Sequence, residues 1–413
     1  MNLGGWDLVS AVGIGRINGA LAAKADTATE FDFHEDTIRL SGTFGPWQVV
    51  QGGSVRLLHV TIPVTAGKYS DSLRRHHNVD LAGMALVAEL ALRLIPSTVE
   101  PGAEDLVFDL DRGDAADRAQ PPVRILRLDG AEGRLDGESA KVVALALGAA
   151  LSAHPDHVGH VFARARKTGA DTGSLAMPYH DWAWMETAGG EGHMALLGAL
   201  SAPTAAMAPD RIDPRIMGAG VAAFALSDCA FFSRVLAPWL NTHFHPRGSF
   251  VGSASGVTLK GNVQLPAAKS SGYTLRPLIE NMRFTRKGAA LQVDLHTRTR
   301  IDGHSVQIMT DMRMTLPLAF DAKSGSVALK PDPAPQCRSW AEGTGFWGGL
   351  EAFIANLVLI FAQDQIVALA RSIAHATQKM AAPTSTTVMW PGQPDFRASS
   401  AELVDCFFFA DKG

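Results

Sequence analysis

The stretch MALVAELALRLI, residues 84–95, constrains the fold more than any other segment. Met84, Leu86, Ala88, Leu90, Leu92 and Leu94 fall on one face of an extended chain, and Ala85, Val87, Glu89, Ala91 and Arg93 fall on the other. Side chains alternate sides along a strand, so this period of two predicts a long strand with one buried face, despite the helix propensity of Ala, Leu and Glu. The segment 36–64 shows the same alternation in shorter runs joined by turn glycines. A third alternating block begins at Leu291, Val293 and Leu295, turns at Asp302-Gly303, and resumes with Val306, Ile308, Met312, Met314, Leu316 and Leu318. The segments AKSG and SVALK extend this meander by a turn and a strand.

Between these blocks the apolar runs lengthen and lose the period of two. In NLGGWDLVSAVGIGRINGAL, residues Trp6, Val9, Val12, Gly13, Ile17, Ala20 and Leu21 share one broad helical face, which predicts a helix beginning near the initiator. Gly13 and Gly15 do not make a dinucleotide loop on this reading, because a strand should precede them and a third glycine should follow. A second long apolar helix is expected over 214–244, broken at Pro238, and a third over Gly348–Met380. The residues 139–155 suit a further helix, 158–169 a strand, and 178–203 a hairpin. The segments TTVMWPGQPDF and LVDCFFFAD are expected to form a final strand pair. A Pro- and Ala-rich seam at 203–213 separates two halves, and a chain of 413 residues exceeds the usual reach of a single core.

Charge and cysteine usage exclude several function classes. Lys plus Arg total 37 against 41 acidic residues, a net charge of −4 without a long basic run, so the footprint of a nucleic-acid binder is absent. The basic LRRHH, Leu73–His77, reads as a solvated loop. Cys229, Cys337 and Cys406 are too few and too scattered for a disulfide framework or a paired-cysteine zinc site, and suit free thiols in a reducing compartment. No cleavable export signal is evident at the N-terminus, so the expected location is the cytoplasm, or outside the cell by a route without a cleaved leader. The apolar run 346–362 is short for a span and includes Glu351 and Asn356, so no transmembrane segment is expected.

No catalytic constellation emerges. GSASG at 252–256 places Ala254 where a nucleophile elbow needs serine, and neither a P-loop nor H-E-x-x-H occurs. His154, His157 and His160 have metal-compatible spacing with Asp156 nearby, but Pro155 and Gly159 interrupt the helix that would align them, and a solvated loop is the simpler reading. Asp109/Asp111 and Asp181/Glu186 read as surface charge. Catalytic residues, cofactor and metal are therefore all expected to be none. What remains is apolar surplus: 46% hydrophobic residues against 19% charged. Helices apolar nearly all round, covered by twisted sheets, leave room for an apolar channel, in which each buried methylene of an acyl chain contributes about 0.8 kcal/mol.

The opening GGWDLVSAVGIGRINGAL, the WPGQPDF block and the closing AELVDCFFFADKG resemble the forty-seven-kilodalton protein family of clostridial neurotoxin gene clusters, with Gly5-Trp6-Asp7 and Trp390-Pro391-Gly392 as the most specific matches. The resemblance implies the tubular lipid-binding (TULIP) superfamily: an α+β fold in which long helices are wrapped by strongly curved antiparallel β-sheets, in two lobes over 1–205 and 206–413. It carries over no catalytic residues, and Trp6 and Asp7 read as structural. The function it implies is non-enzymatic binding of a lipid or other hydrophobic small molecule, with peripheral membrane contact as a further expectation. The proposed walls are Phe224, Phe231, Leu236 and Trp239 on the middle helix and Phe353, Leu357, Ile360 and Phe361 on the last. The alternative is a ligand-free subunit or chaperone for a co-expressed toxin or secreted protein.

Overall fold

A computed structural model describes residues 1–23, 30–110, 123–153, 158–167, 175–187, 189–217, 221–243, 249–270, 273–321, 326–330, 332, 335–342, 380–381, 388–392, 396, 398–403 and 405–411. The chain is mostly β, with curled antiparallel sheets. One ten-stranded sheet runs in the order 30–35, 38–44, 57–71, 85–96, 103–108, 161–166 and 388–389, with 48–54 and 76–80 beside 57–71 and with 123–129 beside 85–96. A second ten-stranded sheet runs 249–253, 256–260, 273–287, 290–301, 307–321, 326–329 and 380–381, with 263–264 and 268–270 beside 273–287 and with 336–342 beside 307–321. Between them in composition is a six-stranded sheet ordered 179–186, 192–199, 8–13, 222–226, 407–411 and 400–403, which draws strands from the beginning, middle and end of the chain.

The strongest alternations become strands where expected. Ala85–Pro96 buries Leu86, Ala88, Leu90 and Leu92, and Ala290–Ile301 buries every second residue from Leu291 to Ile301. The hairpin Tyr179–Glu186 with Gly192–Ala199, the strand Val161–Arg166 and the helix Gly137–Ala153 also form. In LRRHH, Leu73 is exposed in a turn, whereas His76 enters the strand His76–Asp80 and bonds the Ser139 hydroxyl at 2.9 Å.

The picture of long helices wrapped by sheets is wrong. The expected first helix is a strand, Leu8–Gly13, running directly into a ten-residue helix, Ile14–Ala23. The expected middle helix is a 3₁₀ turn at Pro214–Ile216, a strand at Ala222–Leu226, and a helix only from Asp228 to His243. Both misread strands lie inside the six-stranded sheet, flanked by neighbours on each edge and covered on both faces, so they carry unbroken apolar runs without the polar alternation that marks a half-exposed strand. Ser227 ends the second of them by capping the following helix, its hydroxyl accepting from Ala230 N–H at 3.0 Å. Nor does Pro238 break that helix. The turn Phe231–Leu236 before it is π-helical, with Ala237 N–H bonded to Phe232 O, and this wider turn accommodates the missing proline donor and its ring.

The third expected helix, Gly348–Met380, lies outside the described residues except at its end, where Met380 belongs to the short strand Met380–Ala381. The two segments expected to form a final strand pair do not pair with each other: Phe407–Asp411 pairs with Ser400–Leu403, while Val388–Met389 joins Val161–Arg166.

Strand Leu8–Gly13 is clamped by the two sequence motifs that prompted the family resemblance. The Asp7 carboxylate accepts from Leu200 N–H at 2.9 Å and from the Ser227 hydroxyl at 2.7 Å, tying the hairpin end to the helix cap. Trp6 is buried beside it, and the Trp390 indole N–H donates to the Ser10 hydroxyl at 3.1 Å. One face of this sheet, including Val9, Leu197, Ala225 and Phe408, packs with Leu3, Trp6, Ile212 and Ile216. The opposite face, including Leu8, Leu196, Phe224 and Phe409, joins the large core shared with the two ten-stranded sheets.

Candidate functional site

Three concavities differ in chemistry. The apolar one, about 340 Å³, lies between helix Gly137–Ala153 and strand Val123–Asp129 and is lined by Ile125, Leu126, Leu128, Ala140, Ala144 and Leu145, with Arg127 and Lys141 at its rim. Gly148 brings the two elements together: a Cβ there would stand 2.9 Å from the Ile125 side chain. Leu145 is 67% exposed and Leu126 36%, so the cleft keeps two large aliphatic side chains in water that deeper packing would have covered. Arg127 pairs with Asp129 at 2.8 Å and Lys141 with Glu138 at 3.1 Å, both on the surface.

The largest of the three, about 650 Å³, crosses the polar face of the second ten-stranded sheet. Most of its charged groups are paired: His296 Nδ1 lies 2.6 Å from Asp311 and Arg313 donates to Asp294 at 2.6 Å, while Arg338 lies over the Trp340 ring. Cys337 reaches it only by its strand position, since its side chain packs against the apolar core. Among the described residues no cluster of three or more His, Cys, Asp or Glu is arranged to hold a metal ion.

The third, about 380 Å³, sits where strand Leu8–Gly13 becomes helix Ile14–Ala23, lined by Gly13, Ile14, Gly15, Glu191, Gly192, His193 and Val221. A strand does precede Gly13-Ile14-Gly15, contrary to the sequence reading. His193 is buried and its Nδ1 lies 3.2 Å from Glu191 O. Burial holds its imidazole below the usual histidine range, against the Glu191 carbonyl and carboxylate that favour the charged form. Burial does the same to His180, partly offset by Glu104.

Both rings ionise less readily folded than unfolded, so below an ordinary value near 6.5 the unfolded chain binds more protons. Stability is therefore present above that pH and is lost as pH falls through it toward the depressed folded-state values. Thermal unfolding followed by circular dichroism should show the melting temperature falling between about pH 7 and about pH 5, with a shallower fall in His193→Gln.

Of the expected wall residues, the four that are described pack on the core and line none of these three concavities. Phe224 packs against Phe396 and Phe409 at centroid distances of 6.4 and 6.3 Å. Phe231 stacks on Phe407 at 3.3 Å, Leu236 is fully buried, and Trp239 is half-buried on the same core. Phe353, Leu357, Ile360 and Phe361 lie outside the described residues, as do His154 and His157. His160 is buried against Phe162. Of the acidic pairs, Asp181 is held by Arg56, Glu186 accepts from Gly52 N–H at 2.6 Å, and Asp109 lies 3.5 Å from Arg93, while Asp111 is outside the described residues. Sequence reasoning missed Leu126 and Leu145; the available signal was a leucine four residues after Lys141, on a helix side otherwise open to solvent.

A family model described as OrfX-like, Protein OrfX2/OrfX3/P47, matches residues 3–330. The chain belongs to the OrfX-like family. Gly5-Trp6-Asp7, which prompted that assignment from sequence, lies in the matched region, and Trp390-Pro391-Gly392 lies beyond it. The solved structure of P47 from Clostridium botulinum A2 superposes with a TM-score of 0.80 at 17% identity, covering 100% of this chain and 98% of that one. P47 of Clostridium botulinum E1 gives 0.77 at 17% identity, with 98% of both chains covered. At such identity the likeness to these OrfX-like structures is one of fold. No curated protein matches the chain.

Proposed function

We propose that this OrfX-like protein is a non-enzymatic binder of an acyl-bearing ligand, held in the cleft between helix Gly137–Ala153 and strand Val123–Asp129. The observation that carries the reading is the exposed pair Leu126 and Leu145 on an otherwise apolar cleft of about 340 Å³. An alkyl segment laid against them removes their surface from water, and about six covered methylenes contribute roughly 5 kcal/mol, enough for specific retention without a charged contact. Arg127 and Lys141 at the rim suit an anionic or zwitterionic head, whose position at the mouth leaves it solvated.

Leu145→Asp tests this. The side chain is exposed, so the substitution should change folding stability by no more than about 0.5 kcal/mol. Losing a leucine contact of about 1.5–3 kcal/mol should weaken binding of a fluorescent polyunsaturated fatty acid about 10- to 100-fold. Wild-type protein that leaves the probe's fluorescence unchanged, or a variant that binds as wild type does, would remove the proposal.

A further inference from the structure

The cavity at the Gly13–Ile14 junction takes no part in acyl binding and shares no residue with that cleft. Its floor is the start of a ten-residue helix with no acidic residue in the first turn. The first amides of a helix have no intrahelical acceptor and lie at the positive end of its dipole. Gly13 and Gly15 line the wall, which keeps the backbone open to a ligand that side chains would hold off, and the bare Gly192 beside them makes room for the Trp184 ring.

A second feature points the same way. His193 is 4% exposed, and its Nδ1 faces the Glu191 carbonyl, which fixes the ring with that nitrogen as donor. Its Nε2 has no hydrogen-bond partner among the described residues and lies 3.8 Å from where a Cβ on Gly13 would stand, on the cavity lining. A neutral ring so held presents a lone pair, and a protonated one a second donor. Arg16, one turn in, is already paired with Asp411 at 2.8 Å, so the local attraction for an anion comes from the helix start and the histidine rather than from a guanidinium.

We infer that this cavity binds a phosphate group, cradled by the first-turn amides of helix Ile14–Ala23 and completed by His193 Nε2. A phosphate monoanion suits both halves: its charged oxygens accept from the amides, and its P–O–H donates to the imidazole. Sulfate lacks that hydrogen and should bind more weakly. The exposed Glu191 carboxylate at the mouth opposes the anion, so its removal should tighten binding.

The test is calorimetric titration of the full chain with inorganic phosphate near neutral pH, alongside sulfate. Wild type should bind phosphate in the millimolar range or tighter, and sulfate less well. At Gly13 a Cβ would meet Val221 O at 3.5 Å and His193 Nε2 at 3.8 Å, ordinary contacts that leave the fold intact while covering the imidazole nitrogen. Gly13→Ala should therefore weaken phosphate about tenfold, the scale of one hydrogen bond to a charged group. Glu191→Gln should tighten it several-fold, and Gly19→Ala, on the same helix with open space at its Cβ, should change nothing.

Vesicles of phosphatidylcholine with and without phosphatidic acid then identify the source. Retention only by the acidic vesicles that Gly13→Ala abolishes marks a lipid headgroup, and binding of inorganic phosphate without vesicle retention marks a soluble phosphate. Absence of phosphate binding by wild type, or equal binding by Gly13→Ala, overturns the inference whatever the acyl cleft does.

Discussion

Phe231→Ala is expected to lower the unfolding free energy by about 3–5 kcal/mol, measured by urea denaturation. Phe231 is 1% exposed and stacks on Phe407 with an interplanar angle of 15°, while Phe232 meets both rings near the perpendicular. Phe407 belongs to a strand of the six-stranded sheet, and Phe231 to the π turn ahead of Pro238. Truncation therefore opens a void where the helix meets the sheet, and close-packed neighbours collapse into it only in part. The same experiment separates two roles for this ring. As the wall of a ligand channel, its loss would reduce acyl binding at little cost in stability; as core, its loss costs stability while the folded fraction binds as before, and the second outcome is expected.

Asp411→Ala should cost a similar amount, about 3–5 kcal/mol, because it breaks an ion pair held in a poorly solvated place. The two side chains are only 14% and 9% exposed, and the Arg16 guanidinium donates to Asp411 at 2.8 Å. The pair joins the helix after the first strand to the last strand described, so its loss loosens the sheet that holds both ends of the sequence. Replacing both partners, as in Arg16→Met with Asp411→Leu, should recover most of that loss, since shape is kept and no lone charge remains. A double variant as unstable as Asp411→Ala would show that the carboxylate acts through other contacts.

The parts of the fold legible in the sequence are the half-exposed strands. In Ala85–Pro96 and Ala290–Ile301 solvent on one side forces polar residues into alternate positions, and Glu89, Asp294, His296 and Arg298 betray the register. Leu8–Gly13 and Ala222–Leu226 were illegible for the opposite reason: with both faces covered, nothing in LVSAVG or AAFAL distinguishes a buried strand from a buried helix. That ambiguity also hides which apolar residues belong to the core. Phe224 and Phe231 are as apolar as any groove residue, but their partners Phe409 and Phe407 lie 185 and 176 residues away, and no local pattern reveals that pairing. Leu145 shows the converse, an apolar residue left in water, and exposure is a property of the assembled surface rather than of the local sequence.

The family was legible because its motifs hold the central strand Leu8–Gly13 in place. Asp7 satisfies a hairpin end and a helix cap at once, and Trp390 reaches Ser10 on the strand Asp7 precedes. The strand ahead of Gly13-Ile14-Gly15 was not legible, although a six-residue strand fits between the Gly5 turn and the helix.

On the function proposed above, the cleft beside Leu145 holds one acyl chain. Native mass spectrometry of wild type and Leu145→Asp, each incubated with a saturated phospholipid series and stripped of excess, tests it most directly. The expected result is a single added lipid mass on wild type, retained better as the acyl chain lengthens, and its loss from the variant. A bare protein mass for wild type at every chain length, or equal adducts on both proteins, would contradict it.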